Sequence, residues 1–186
     1  MSDVARELGI SKKTIYQHFS DKDAIIKEVM QQQLLCEEQD MERIEREATD
    51  PIDEVLRISE YIRAMFSTMN PVLLFDLKKY HTAAWKMFQA HKEGKLIEGI
   101  SRNMQKGMEQ GLYRTDINVN VLAKLRLEQV ELGFDPTIFP PDRFNLLDVQ
   151  LQFVHHFLRG ILTEKGFQRY YSYINTKQPS TESNPT

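Results

Sequence analysis

The stretch GISKKTIYQHFSDK, residues 9–22, carries side chains whose types and spacing could do chemistry. Residues 12–19 hold two lysines, a threonine, a tyrosine, a glutamine and a histidine, and no acid. A helix that reads DNA needs hydrogen-bonding side chains near its N-terminal end and cations for phosphates. A helix that only fills a core needs neither. The chemistry on offer is therefore recognition, with Ser11, Lys12, Lys13, Thr14, Tyr16, Gln17, His18 and Lys22 as candidate DNA contacts.

Other chemistries find little support. His155 and His156 are adjacent, so on a helix they point about 100° apart and cannot jointly chelate a metal. His18, His81 and His91 have no carboxylate or cysteine at ligand spacing, and no nucleophile elbow or glycine-rich phosphate loop is present. The single cysteine, Cys36, excludes an intramolecular disulfide and a four-thiolate zinc site. The sequence predicts no enzyme, no cofactor and no metal. The chain has 186 residues, enough for one or two domains, and its net charge of −3 argues against a general polyanion binder. Residues 1–30 hold five bases and five acids, so DNA binding there must rest on local placement. No run approaches the roughly 20 apolar residues that span a bilayer, and a cytoplasmic location is expected.

The elements that must position these residues read as helices. Residues 1–8 form a short one ended by Gly9, whose missing Cβ permits a positive φ. Ser11 caps a second over 12–19. Ser20 caps a third, with Asp23 completing a capping box, and this helix runs to Ala48. Asp50-Pro51 and Asn70-Pro71 open helices near 51–69 and 71–90. Residues 96–110 form another, with Gly111 as its cap. Asn118 or Asn120 starts one that ends near Gly133. The proline-rich 135–142 is a loop, and a last long helix covers 143–165, ended or kinked by Gly166. The tail 175–186 is predicted to be disordered. No strand signal is present.

The run DVARELGISKKTIYQHFSDKDAII resembles the helix-turn-helix of TetR-family transcriptional regulators. The matching positions are Val4, Ala5, Leu8, Gly9, Ile10, Ser11, Thr14, Ile15, Tyr16, His18, Phe19, Lys22, Asp23 and Ile25. The resemblance implies an all-α chain: a DNA-binding domain with its connecting helix over 1–47, then a helical effector-binding and dimerisation domain over 48–174. It implies double-stranded DNA, a second copy of the chain and a small-molecule effector as partners, with no membrane. By resemblance Lys13, Thr14 and Gln17 face base edges, Tyr16 and His18 hold phosphates, and Lys22 touches the backbone. Ser11 and Lys12 sit where helix N–H groups suit a phosphate. Val4, Ala5, Leu8, Ile10, Ile15 and Phe19 are expected to pack the two short helices together. The family motif is preceded by a further helix, so the chain reads as one that begins late. The alternative is a helical small-molecule-binding or scaffold protein with a vestigial DNA motif.

Adaptable apolar side chains in the middle of the chain are candidates for an effector pocket: Met65, Phe66, Met69, Phe75, Tyr80, His81, Trp85, Phe88, Met104 and Met108. Each could equally be ordinary core. The last long helix carries two apolar stripes. Leu147, Leu151, Val154, Leu158 and Ile161 form one, and Leu146, Val149, Phe153 and Phe157 the other. Such a helix suits either one core face and one subunit contact, or a central helix buried in a monomer. Leu146, Val149, Phe153, His156, Phe157 and Gly160 are the candidate dimer contacts.

Overall fold

A computed structural model describes residues 1–68, 72–133 and 135–177, with the backbone alone at 66, 68, 72, 74, 75, 176 and 177. The described residues form helices α1 (Ser2–Glu7), α2 (Lys12–His18), α3 (Lys22–Glu47), α4 (Pro51–Thr68), α5 (Val72–Tyr80) and α6 (Thr82–His91). A π-helical segment, Lys92–Leu96, joins α6 to α7 (Ile97–Glu109). Then come α8 (Val119–Gly133), α9 (Leu146–Ile161) and α10 (Glu164–Lys177). The only pairing of strand type among them is an isolated bridge between Tyr113 and Leu162.

Local capping fixes many of these ends. Asp50 Oδ1 accepts from the N–H groups of Ile52 and Asp53 at 2.9 and 3.0 Å, ahead of Pro51. Asn118 Oδ1 accepts from Val121 N at 3.2 Å and opens α8, and Asn145 accepts from Leu147 N at 2.9 Å and opens α9. At α3 the cap is Asp21 rather than Ser20: Asp21 Oδ1 accepts from Ala24 N at 2.8 Å, and the Ser20 hydroxyl donates to Asp21. The carboxylate takes both bonds, and its charge suits the positive helix end.

Long-range contacts set the rest. The helix expected over 71–90 breaks at His81, whose φ of −127° and ψ of 62° are not helical. No glycine or proline marks that break. The contact there that reaches across the fold is a 2.6 Å hydrogen bond from His81 Nδ1 to Asp23 Oδ1 on α3. Conversely, Gly94 and Gly99 do not interrupt the chain, which runs from α6 to α7 through one wide turn. The expected single helix over 143–165 divides at Leu162 and Thr163. There Arg114 N donates to Ile161 O at 2.8 Å and Thr163 N donates to Leu112 O at 2.9 Å. Gly166 neither ends nor kinks a helix. It lies in the first turn of α10, where a Cβ would stand 2.1 Å from Leu112 O. That helix reaches Lys177, past the start of the predicted tail, while 178–186 lie outside the described residues.

The core lies among α4, α7, α8, α9 and α10. It includes Ile52, Leu56, Met104, Tyr113, Ala123, Val154, Leu158, Ile161 and Tyr170. Its polar atoms are satisfied in series: Tyr113 Oη donates to Asn103 Oδ1 at 3.2 Å, and Asn103 Nδ2 donates to Pro51 O at 3.0 Å. Lys92 is also buried, and donates to Glu131 and Glu128 on α8 at 2.7 and 3.2 Å. Helix α3 is tied to the α6–α7 rod by ion pairs along its length. Glu38 takes Lys95, and Glu45 takes both Arg102 and Lys106.

Candidate nucleic-acid interface

Helix α1 ends in a Schellman turn. Ile10 N donates to Ala5 O at 3.0 Å and Gly9 N to Arg6 O at 3.2 Å, with Gly9 at φ 63°. This turn aims α2 away from α1. Ser11 then caps α2, accepting from Thr14 N at 3.0 Å. The Ser11 and Thr14 hydroxyls also meet at 2.8 Å, which holds the Thr14 hydroxyl at the N-terminal end of the helix.

On α2, Ile15 is buried and faces inward. Lys12, Lys13, Tyr16, Gln17 and His18 are exposed, as are Ser11 and Lys22, and Thr14 is half-buried. The eight predicted contacts therefore share one short helix, its cap and the first residue of the next helix. No described residue forms an ion pair with Lys12, Lys13 or Lys22. Nearby Asp21 is held below the usual carboxylate range by the Ala24 N–H and the Ser20 hydroxyl, so it is spent on the helix cap. The arrangement offers three uncommitted cations and several outward donors on a helix narrow enough for a major groove.

The apolar side of this motif departs from expectation. Ala5 and Ile15 are its buried residues and Phe19 is half-buried, whereas Val4, Leu8 and Ile10 stand exposed. Two short crossed helices cover one stripe of each other and leave the far stripe open.

The pocket candidates do not converge. Met104 is fully buried in the core and Met108 packs against it. Tyr80 is exposed beneath the Lys79 ammonium, and His81 is bonded to Asp23. Trp85 and Phe88 pair with ring centroids 5.4 Å apart, and Lys78 lies over the Trp85 ring. Met65 is half-buried. Met69 and the side chains of Phe66 and Phe75 lie outside the described residues. A small cavity of about 20 Å³ sits elsewhere, between α4, α8 and α9, lined by Ser59, Arg63, Arg126 and Gln150 with Ile62, Leu147, Leu151 and Val154. Sequence reading missed Arg126. Its signal is a cation on the same helical face as Ala123, Leu127 and Val130.

Within the subunit the dimer candidates divide. Val149 is buried within the subunit, Leu146 is half-buried, and Phe153 meets Phe139 edge-on at 5.7 Å. Phe157 packs on the core, with the Arg126 guanidinium 5.9 Å above its ring. The chain's own 135–144 loop and α8 thus cover the second stripe, leaving only His156 and Gly160 exposed. The unpartnered apolar stripe is on α8: Val121 is 60 %, Leu125 51 % and Leu132 42 % exposed. Helical spacing places the three on one face.

Comparison with known proteins agrees with this geometry. Residues 1–29 match the family model of bacterial regulatory proteins of the tetR family. An uncharacterised HTH-type transcriptional regulator, YvaF, of Bacillus subtilis strain 168 is 26% identical over 174 residues, spanning 89% of this chain and 86% of its own length. A TetR-family regulator from Agrobacterium tumefaciens shares the fold at a TM-score of 0.72 and 14% identity, over 87% of this chain and 86% of that one. FadR from Bacillus subtilis, solved with stearoyl-CoA, shares it at 0.66 and 12% identity, over 86% and 87%. With a capped reading helix carrying uncommitted cations, an N-terminal motif matching the tetR family model over residues 1–29 and a similar HTH-type regulator along most of its length, this chain is similar to TetR-family regulators and reads as a DNA-binding transcriptional regulator.

Proposed function

We propose that the protein is a ligand-responsive repressor that acts as a homodimer on a near-palindromic operator. The observation that carries this reading is the set Lys12, Lys13 and Lys22, exposed and without ion pairs among the described residues, around the outward face of α2. Lys13, Thr14 and Gln17 would address base edges. Ser11, Lys12, Tyr16, His18 and Lys22 would hold phosphates and fix the register. Residues 1–47 form the DNA-binding unit and α4–α10 the regulatory body.

The exposed stripe on α8 supports a dimer. Val121, Leu125 and Leu132 would meet their counterparts across a two-fold axis, since one self-complementary patch closes a symmetric dimer. Two reading helices about 34–36 Å apart would then fit successive turns of one DNA face. Leu125→Asp should yield a folded monomer by sedimentation velocity, because the side chain is already half in water. Phe157→Asp should instead unfold the subunit. A dimeric Leu125→Asp protein would place the interface elsewhere.

Effector control would run through α3. This helix starts at Lys22, bonds His81 through Asp23, and is tied by ion pairs to α6–α7. A ligand that favours one placement of the body against α3 would change the spacing of the reading helices, and only its differential affinity could shift that balance. That FadR of similar fold holds stearoyl-CoA supports a small-molecule effector here. No described helix is long and apolar enough to cross a membrane, and a cytoplasmic location suits a DNA partner. Selection of bound sequences from a random duplex pool tests the reading. Enrichment of an inverted repeat is expected, and enrichment of no motif by a folded dimer would contradict it.

A further inference from the structure

Two cations are buried in the body, and they are treated differently. Lys92 is 3 % exposed and has two carboxylates. Arg126 is 7 % exposed and, among the described residues, has none. Its Nη1 is buried without a hydrogen-bond partner. Burial alone pushes its guanidinium down to about 10, with no neighbouring charge acting on it. The acids of α8 cannot help, since Glu128 and Glu131 lie on another face and are committed to Lys92 and Lys124. A lone buried charge is costly, and proteins ordinarily pair it.

Arg126 is not merely trapped in apolar packing. It lines the cavity between α4, α8 and α9, together with Arg63, Ser59 and the Gln150 side chain. The rest of its lining is apolar: Ile62, Leu147, Leu151 and Val154. The Gln150 amide is fixed by donating to Val130 O at 2.9 Å. In its present form the cavity holds about 20 Å³, room for a single water-sized group. That is too little for a carboxylate and its tail, so a ligand must open the site to enter. Below the guanidinium, the Phe157 ring at 5.9 Å supports the charge without neutralising it.

We propose that Arg126 is the anchor of an effector site that takes a carboxylate carrying an apolar tail. The carboxylate accepts from the Arg126 guanidinium, with the Ser59 hydroxyl and Arg63 at the rim. The tail enters by parting α9 from α4 along Leu147 and Leu151. Ligand entry would supply the missing counter-charge and so stabilise the opened arrangement over the closed one. This site rests on the ligand-responsive reading above, and names the chemistry and place of the effector.

The test is direct binding to the whole protein, without DNA, by calorimetry and thermal unfolding. The probes are sodium octanoate, 1-octanol and sodium phosphate. Octanoate should bind and raise Tm, while octanol and phosphate bind at least tenfold more weakly. Arg126→Met, of similar length without the charge, should unfold at a higher temperature than wild type in buffer and lose octanoate affinity at least tenfold. Arg126→Lys keeps the charge and loses the forked geometry, so it should retain part of the affinity. If Arg126→Met fails to fold, the lysine variant and the octanol comparison still decide. Absence of octanoate binding, equal binding of octanol or phosphate, or unchanged affinity in both variants would overturn the site. DNA affinity measured separately keeps the two readings apart: a protein that binds an operator but not octanoate loses this site alone, and one that binds octanoate but no DNA loses the regulator reading alone.

Discussion

The reading motif and the helical body solve opposite problems. Within residues 1–29 only Ala5 and Ile15 are buried, and the local devices that shape α1 and α2, Gly9 and the Ser11 cap, come from adjacent sequence. Its cations on and beside α2, Lys12, Lys13 and Lys22, are left outward and without ion pairs among the described residues. In the body, Tyr113, Met104 and Leu158 are fully enclosed, and its breaks and ties come from residues distant in sequence. The comparison teaches where information is kept. A recognition surface is written locally and exposes its chemistry. A regulatory body is written in contacts and hides its chemistry, as Arg126 shows.

The sharpest way to break this comparison is to strike each region and ask whether the other responds. Tyr113→Ala removes a fully buried ring and its bond to Asn103, and should cost about 3–5 kcal/mol of global stability in urea unfolding. Gln17→Ala should leave the urea midpoint unchanged and weaken binding to a selected operator by roughly 1–3 kcal/mol if it touches a base edge. Equal losses on operator and random DNA would remove its reading role.

A third variant lies on the helix that joins the regions. Glu37 on α3 is desolvated, which raises its carboxyl to about 6. Between about 4.5 and 6 the folded protein holds this proton more tightly than the unfolded chain does, so stability contributed by this group falls as pH rises through that window. Glu37→Gln should remove that decline and add about 1–2 kcal/mol at pH 7. Parallel pH–stability curves for wild type and variant would rule out Glu37 as its source. The smallest change is Lys22→Ala. It should weaken binding to all sequences alike and lower the slope of log affinity against log salt by about one.

The sequence made the locally capped elements legible. Ser11, Asp50-Pro51, Asn118 and Gly111 each sit at the end they signal, because a cap acts within four residues of itself. The division at Leu162 and Thr163 was not legible, because its partners, Leu112 and Arg114, are some fifty residues away. The helix break at His81 was not legible for the same reason, its partner being Asp23. On the functional side, the outward residues of α2 could be read from type and order. The apolar residues of α9 could not be assigned to core or partner, because the 135–144 loop that covers Phe153 carries no periodic signal. Arg126 is one cation among 24 in the sequence, and only its burial without a counter-charge sets it apart.

The most direct test of the central claim is fluorescence anisotropy of the protein on DNA from beside its own gene, with random duplex as competitor, at two salt concentrations. The expected result is saturable binding by two subunits per site that survives the competitor and weakens steeply with salt. Binding that random DNA displaces as readily as operator DNA, or that ignores salt, would contradict the assignment of α2 as the reading helix.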